Sequence, residues 1–194
     1  ISCVTCHSFK EFKGNETKDG KPLYGIDAYV VDTESLHGPT GTTYTTERTP
    51  QDAKWPTPVH HPSPMSGNKA ALFKSNEICM GCHEKRSNMK GTPLCVTGQE
   101  YRDSKSFAPC QSCHMGTVTV QKLEKGKPVA GKFITIPDHS MLGGHSAEMV
   151  SRGIMLDMKT EKSGDKLKAT ITVHNRLPHA FPTGAPFRNF YIKI

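Results

Sequence analysis

Three five-residue clusters hold the reactive side chains of this chain: Cys3-Val4-Thr5-Cys6-His7, Cys79-Met80-Gly81-Cys82-His83 and Cys110-Gln111-Ser112-Cys113-His114. Each has the C-x-x-C-H spacing of covalent c-type haem attachment. The two thiols add across the vinyl groups of one porphyrin, and the adjacent imidazole becomes the first axial ligand of its iron. A thioredoxin-type redox pair or half of a zinc site would use similar thiols. Zinc, however, wants two such pairs on one metal, and three pairs that each carry their own histidine do not divide that way. A disulfide within a motif would close a strained ring. The spacing therefore predicts three covalent haems on Cys3, Cys6, Cys79, Cys82, Cys110 and Cys113, with His7, His83 and His114 on the irons.

The second axial position is the next question. Seven histidines lie outside the motifs: His37, His60, His61, His139, His145, His174 and His179. Three haems need at most three of them. His139 precedes Gly143 and Gly144, where a bare backbone can approach a flat cofactor, and His179 stands between Pro178 and Pro182 on constrained chain. His60 and His61 lie in the proline-rich run from Pro56 to Pro64, which excludes regular helix and stiffens an extended path. His174 falls in an alternating segment and reads as a surface residue. Methionine is the rival ligand and would raise the potential, with Met65, Met115 and Met141 the nearest candidates. The number of histidines favours bis-histidine iron throughout: six-coordinate, low-spin, low in potential and closed to substrate. The competing expectation is a haem oxidoreductase acting on a small nitrogen or sulfur compound at one five-coordinate iron. Cys95 belongs to no motif; it reads as a buried inert thiol, with a disulfide to a neighbour or a missing segment as the other reading.

The elements around these residues are expected to be slight. Only 35% of the 194 residues are hydrophobic and the mean hydropathy is -0.53, which is thin for a conventional core. Haem supplies apolar bulk in its place. With 17 Gly and 14 Pro, the expected fold is mostly irregular, wrapping haems with loops and short helices, with a small β-rich module in the C-terminal third. Residues 1–116 form the expected haem domain and residues 117–194 the β-rich module that supplies distal histidines. The stretch after His7 to Lys54 reads as loop. Ser66 to Lys85 reads as helix with Asn76 as an N-cap, and a second helix is expected near Ala147 to Arg152. Thr117 to Val120 and Phe133 to Ile136 read as a hairpin. Ile154 to Met158, Leu167 to Val173 and Phe190 to Ile194 read as strands.

The formal charge of +7 falls to about +4 when three haems each add roughly one negative charge. No arginine-rich run or aromatic ladder marks a nucleic-acid binder. No apolar stretch is long enough to span a membrane, so the expected partners are redox proteins. Attachment of c-type haem takes place beyond the cytoplasmic membrane, so an exported protein, periplasmic or at the cell surface, is expected, with its export signal removed. The strand-like end at Ile194 suggests a fragment.

Beyond the haem motifs, the chain resembles the cytochrome c554-like multihaem family. The resemblance runs through Gly38-Pro39, Pro58-Val59-His60 and Ser75-Asn76-Glu77-Ile78-Cys79-Met80-Gly81-Cys82-His83. It continues in Thr97-Gly98-Gln99-Glu100-Tyr101-Arg102-Asp103-Ser104 ahead of Cys110-Gln111-Ser112-Cys113-His114-Met115, in Asp138-His139 to Gly144, and in Asn175 through His179-Ala180-Phe181-Pro182-Thr183-Gly184. It implies electron transfer through bis-histidine haems packed in a chain, with His60 or His61, His139 and His179 as distal ligands. Some relatives form filaments in which one subunit lends a histidine to the next. Such families often carry a further haem motif upstream, so the resemblance leaves His37 or His145 to serve a haem in a missing segment or another subunit. Cys95 departs from the family pattern.

Overall fold

The structure, a computed structural model, describes residues 3–38, 44–45, 70–124 and 127–193. His60 and His61, with the proline-rich run that carries them, lie outside the described residues. Two compact units emerge, each built from two stretches of chain: residues 1–84 with 108–141, and residues 85–107 with 142–194. The sequence reading cut the chain once, after residue 116, whereas here the hairpin that follows the third motif belongs to the first unit.

The first unit opens with helix α1 (Cys3–His7), followed by β1 (Phe9–Phe12), a 3-10 turn (Gly25–Ala28) and β2 (Tyr29–Val31). The strands pair antiparallel, Phe9 opposite Val31 and Phe12 opposite Tyr29. The expected loop after His7 therefore contains a small sheet. Its pairing is carried by two aromatic residues too far apart in sequence to show as a period: the Phe9 and Tyr29 rings stack at 3.9 Å, nearly parallel. Phe9, Ala28, Tyr29 and Leu72 form the core, flanked by Phe12, Leu23, Phe73 and Ile78. A two-residue ladder, β3 (Ser35–Leu36) with β4 (Tyr44–Thr45), follows.

Helices α2 (Ala70–Lys74) and α3 (Glu77–His83) replace the single helix expected from Ser66 to Lys85. The break falls at Ser75-Asn76 because Ser75 folds back on α2 and then starts α3. Its hydroxyl donates to the Leu72 carbonyl at 3.1 Å and accepts from the Glu77 N–H at 3.3 Å, a local turn that competes with continuous helix. Asn76 makes no capping bond of its own; its side chain is used elsewhere. Helix α5 (Cys110–His114) carries the third motif, and the expected hairpin follows as β7 (Thr117–Glu124) against β8 (Lys127–Pro137).

The second unit contains the short pair β5 (Arg86–Ser87) and β6 (Pro93–Cys95), then α4 (Thr97–Ser104). Helix α6 (Ala147–Gly153) is where the sequence placed it, and Ser146 caps it by accepting the Met149 N–H at 3.3 Å. β9 (Ile154–Ser163) and β10 (Lys166–Asn175) make a ten-pair hairpin. Its two-residue loop has Gly164 first at φ +60, as a II′ turn requires. Phe190 to Lys193 are irregular rather than the expected strand; the Phe190 ring packs edge-on against Phe181 at 5.4 Å. All the sheets described are two-stranded. The fold is mostly irregular, with short helices and small antiparallel ribbons.

Candidate haem centres

Each C-x-x-C-H motif forms a short helix: α1, α3 and α5. Helical winding puts positions i, i+3 and i+4 on one face, so the two thiols and the histidine of each motif emerge together. This is the donor set that c-type haem needs. Among the described residues only Phe9, Ala28, Tyr29, Leu72 and Met80 are buried apolar side chains. So small a core leaves apolar bulk for a cofactor to supply. No group of three or more His, Cys, Asp or Glu among the described residues could hold a bare metal ion.

The first motif is the most fully built. His7 is buried, and its Nδ1 lies 2.6 Å from the His37 carbonyl. Donation to a carbonyl fixes the proton on Nδ1 and leaves the lone pair on Nε2, the tautomer a metal-bound imidazole takes. The His37 N–H returns a bond to the His7 carbonyl at 2.5 Å, and the His7 ring stacks on Phe73 at 5.2 Å. His37 is itself buried: its Nε2 meets Asp32 at 2.9 Å, and its Nδ1 is enclosed without a hydrogen-bond partner. Asp32 also pairs with Lys10 at 2.6 Å. His37 thus presents its carbonyl to His7 and its Nε2 to Asp32.

His139 lies across from His7 with ring centroids 6.3 Å apart and planes inclined by 30°. Its loop is pinned at several points. The Asp138 N–H bonds the Gly116 carbonyl at 2.5 Å, and Asp138 accepts the N–H and hydroxyl of Ser140 at 2.9 and 2.7 Å. Those Ser140 bonds hold the Asp138 carboxyl below its ordinary range. His139 Nδ1 bonds the Pro137 carbonyl at 2.9 Å, so here too the lone pair falls on Nε2. A metal–imidazole bond is about 2.0 Å, and a ring nitrogen lies about 1.1–1.2 Å from its centroid. Two imidazoles across one iron therefore have centroids roughly 6.3 Å apart. The observed centroid spacing is close to that value.

The second and third motifs are locked by Tyr29, Asn15 and Gln111, to which sequence reasoning gave no role, and by Asn76, which it read as an N-cap. The Tyr29 hydroxyl lies 2.9 Å from the carbonyls of Glu77 and Ile78 and accepts the Gly81 N–H at 3.0 Å. Burial and the neighbouring thiols hold its pKa well above normal, so it remains a neutral donor. Asn15 donates to the Met80 and Glu84 carbonyls at 3.0 and 3.4 Å, satisfying the C-terminal end of α3. Asn76 accepts the Cys110 N–H at 2.6 Å, and Gln111 donates to the carbonyls of Phe73 and Ser75 at 3.1 and 2.7 Å. The Cys79 and Cys110 thiols hydrogen-bond each other. The bond raises Cys79 and lowers Cys110 to about 7. Burial raises Cys6, aided by the charge of Cys82.

In the second unit the His179 loop hangs from Glu100, whose carboxylate accepts the Ala180 N–H at 3.1 Å and the Thr183 hydroxyl at 2.5 Å. Thr97 meets Thr183 at 2.8 Å, and Asn175 donates to the His179 carbonyl at 2.7 Å. His179 Nδ1 bonds the Ala180 carbonyl at 2.9 Å, again placing the lone pair on Nε2. His174 spends its Nε2 on Asp157 at 2.8 Å across the β9–β10 ribbon, in keeping with a surface role. His145 is exposed just before α6. Cys95 is half-buried, its sulfur 3.6 Å from Thr97 Oγ1, in a cleft of about 290 Å³ that Glu100, Thr183 and Arg188 also line.

No protein-family profile matches the chain, and no curated protein does. Among solved structures it is similar to a penta-haem cytochrome c552 from Thermochromatium tepidum, at 36% identity and a TM-score of 0.69 over 96% of this chain. The likeness to a multihaem c-type cytochrome supports the haem reading of the three motifs. This chain spans 46% of the length of the penta-haem cytochrome c552. No helix among its described residues is long and apolar enough to cross a membrane.

Proposed function

We propose that the protein transfers electrons through three covalent haems on Cys3/Cys6, Cys79/Cys82 and Cys110/Cys113, each iron closed by two histidines. The facing pair His7 and His139, with ring centroids 6.3 Å apart, carries the reading, because each leaves an Nε2 lone pair for a haem iron, and an iron held by both would keep no position for substrate. When bound, haem supplies an iron that cycles between ferric and ferrous states. The chain's part is to hold that iron unchanged in coordination. His7 is fixed from behind by the His37 carbonyl and His139 by its pinned loop, so neither ligand need move when charge arrives. Each carbonyl also makes its imidazole a stronger donor, which favours ferric iron and a low potential.

His179, on the loop tied to Glu100, supplies a second distal ligand, and His60 or His61 a third. Exposed His145 would serve a haem outside this stretch or on another subunit. The partners are redox proteins met beyond the cytoplasmic membrane, where such haems are attached.

His139→Ala tests the assignment. One haem in three should become high-spin and bind carbon monoxide when reduced, whereas His174→Ala should leave every haem low-spin. Three low-spin haems in His139→Ala would remove His139 from the iron.

A further inference from the structure

The β9–β10 ribbon of the second unit has two unlike faces. Leu156 stands opposite Val173, Met158 opposite Ile171 and Lys162 opposite Leu167, whereas Asp157 stands opposite Thr172, Lys159 opposite Thr170 and Glu161 opposite Lys168. Cross-strand partners share a face and successive residues alternate, so one face gathers the apolar side chains and the other most of the charges. The apolar face is uncovered, with Met158 66% and Leu167 72% exposed. The long edges are open as well, because the sheet has two strands and every residue of β9 after Ile154 is exposed. A two-stranded ribbon is marginal by itself, and a further strand stabilises it. The two edges differ in what they accept. β10 carries Lys166, Lys168 and His174 and no acid, and lysine along an edge keeps other strands away. β9 alternates Asp157, Lys159 and Glu161 on its charged face. Asp157 is engaged by His174 at 2.8 Å, whereas Lys159 and Glu161 make no ion pair among the described residues.

We propose that β9 is a docking edge for β9 of a second copy of this chain, the two strands running antiparallel about a two-fold axis at Thr160. Faces and charges set the register. An axis between two residues would place the apolar face of one copy beside the charged face of the other, so the axis falls on a residue. At Asp157, Lys159, Glu161 or Lys162 it would bring like charges together, which is destabilising. At Thr160, Lys159 of each copy meets Glu161 of the other, and the two charges left unpaired within one chain are matched twice. The two Thr160 side chains then meet in a favourable cross-strand pair, Asp157 falls opposite Ser163, and the methylene stem of Lys162 lies along Met158. An axis at Met158 would instead set Lys159 against Asp157, which His174 already holds, and leave Glu161 opposite Met155. The product is a four-stranded sheet with the lysine-bearing β10 strands outermost. This goes beyond the electron-transfer reading and does not depend on how the irons are closed.

Sedimentation equilibrium of the haem-loaded full chain provides the test. The wild type should dimerise, and the dimer should weaken as salt is raised, because exposed ion pairs are screened. Lys159→Glu alone and Glu161→Lys alone each turn two attractions into two repulsions and should weaken the dimer about tenfold. The double variant Lys159→Glu/Glu161→Lys restores both pairs with the signs exchanged and should dimerise like the wild type. An axis at Met158 predicts no such rescue, since two acids would then face each other. A wild type that stays monomeric up to about 100 µM would overturn the proposal and leave the edge to a different partner. A dimer indifferent to both single changes would move the interface elsewhere, and a double variant as weak as the singles would refute the register. All these positions are exposed, so the variants should keep the thermal midpoint of the wild-type monomer, which separates lost association from lost folding.

Discussion

Gly81→Ala is a small change at a position the haem motif leaves free, yet the surroundings of Gly81 should make it costly. A Cβ built there would lie 2.7 Å from Tyr29 Cζ and 2.8 Å from its oxygen, with Cε2 in contact as well. Comfortable carbon contacts are about 3.5–4.0 Å, so the ring or the helix must retreat by roughly 1 Å. The ring has no easy way to do so. It is buried at 3% exposure, stacked on Phe9 at 3.9 Å, and its hydroxyl is held by Glu77, Ile78 and Gly81. Overpacking of a fixed site costs about 1–3 kcal/mol, and weakening the hydroxyl's bonds adds to it, so a loss of about 3 kcal/mol is expected. At roughly 2–4 °C per kcal/mol for a chain of this size, the melting midpoint should fall by about 6–12 °C. The assay is thermal unfolding of the haem-loaded protein, with haem content measured alongside. Tyr29→Phe keeps Cε2 and Cζ and should not rescue the variant; Tyr29→Leu removes the obstruction and should recover part of the loss. A Gly81→Ala protein that melts like the wild type would refute the packing argument.

Other outcomes follow from the same geometry. Asp32→Ala leaves the buried His37 Nε2 and half-buried Lys10 without their carboxylate, and should cost about 1–3 kcal/mol in denaturant unfolding. Glu100→Ala removes two charge-assisted bonds from the His179 loop, each worth about 1.5–3 kcal/mol. It should raise the carbon-monoxide-reactive haem fraction, whereas Glu100→Gln, which keeps an acceptor, should not; equal fractions in both would detach Glu100 from ligand positioning. Asn76→Ala leaves the Cys110 N–H without its acceptor and should lower the stability of the haem-loaded protein by about 1–3 kcal/mol in thermal unfolding.

The haem motifs, the α6 helix, the first long hairpin and the two strands of the second were legible in the sequence because each is encoded locally. Fixed cysteine spacing, a Ser146 cap and a glycine turn at Gly164 need no distant partner. What escaped is encoded across long separations. Phe9 and Tyr29 define the core across nineteen intervening positions, and nothing in either neighbourhood announces the stack. Asn76 looked like a cap because Asn before a helix usually is one, but its acceptor is spent on Cys110, and Ser75 does the capping. Glu100 and Asn175 stood in segments that carried the family resemblance, yet their task of holding the His179 loop shows only when α4 and that loop meet. The His37 carbonyl behind His7 likewise shows only when two segments thirty residues apart meet.

The most direct measurement is the absorption spectrum of the dithionite-reduced wild-type protein before and after carbon monoxide. Closed bis-histidine irons predict sharp low-spin c-type bands that carbon monoxide leaves unchanged. A fraction of the haem, near one third or more, moving to a carbon monoxide spectrum would contradict the account and point to an open iron.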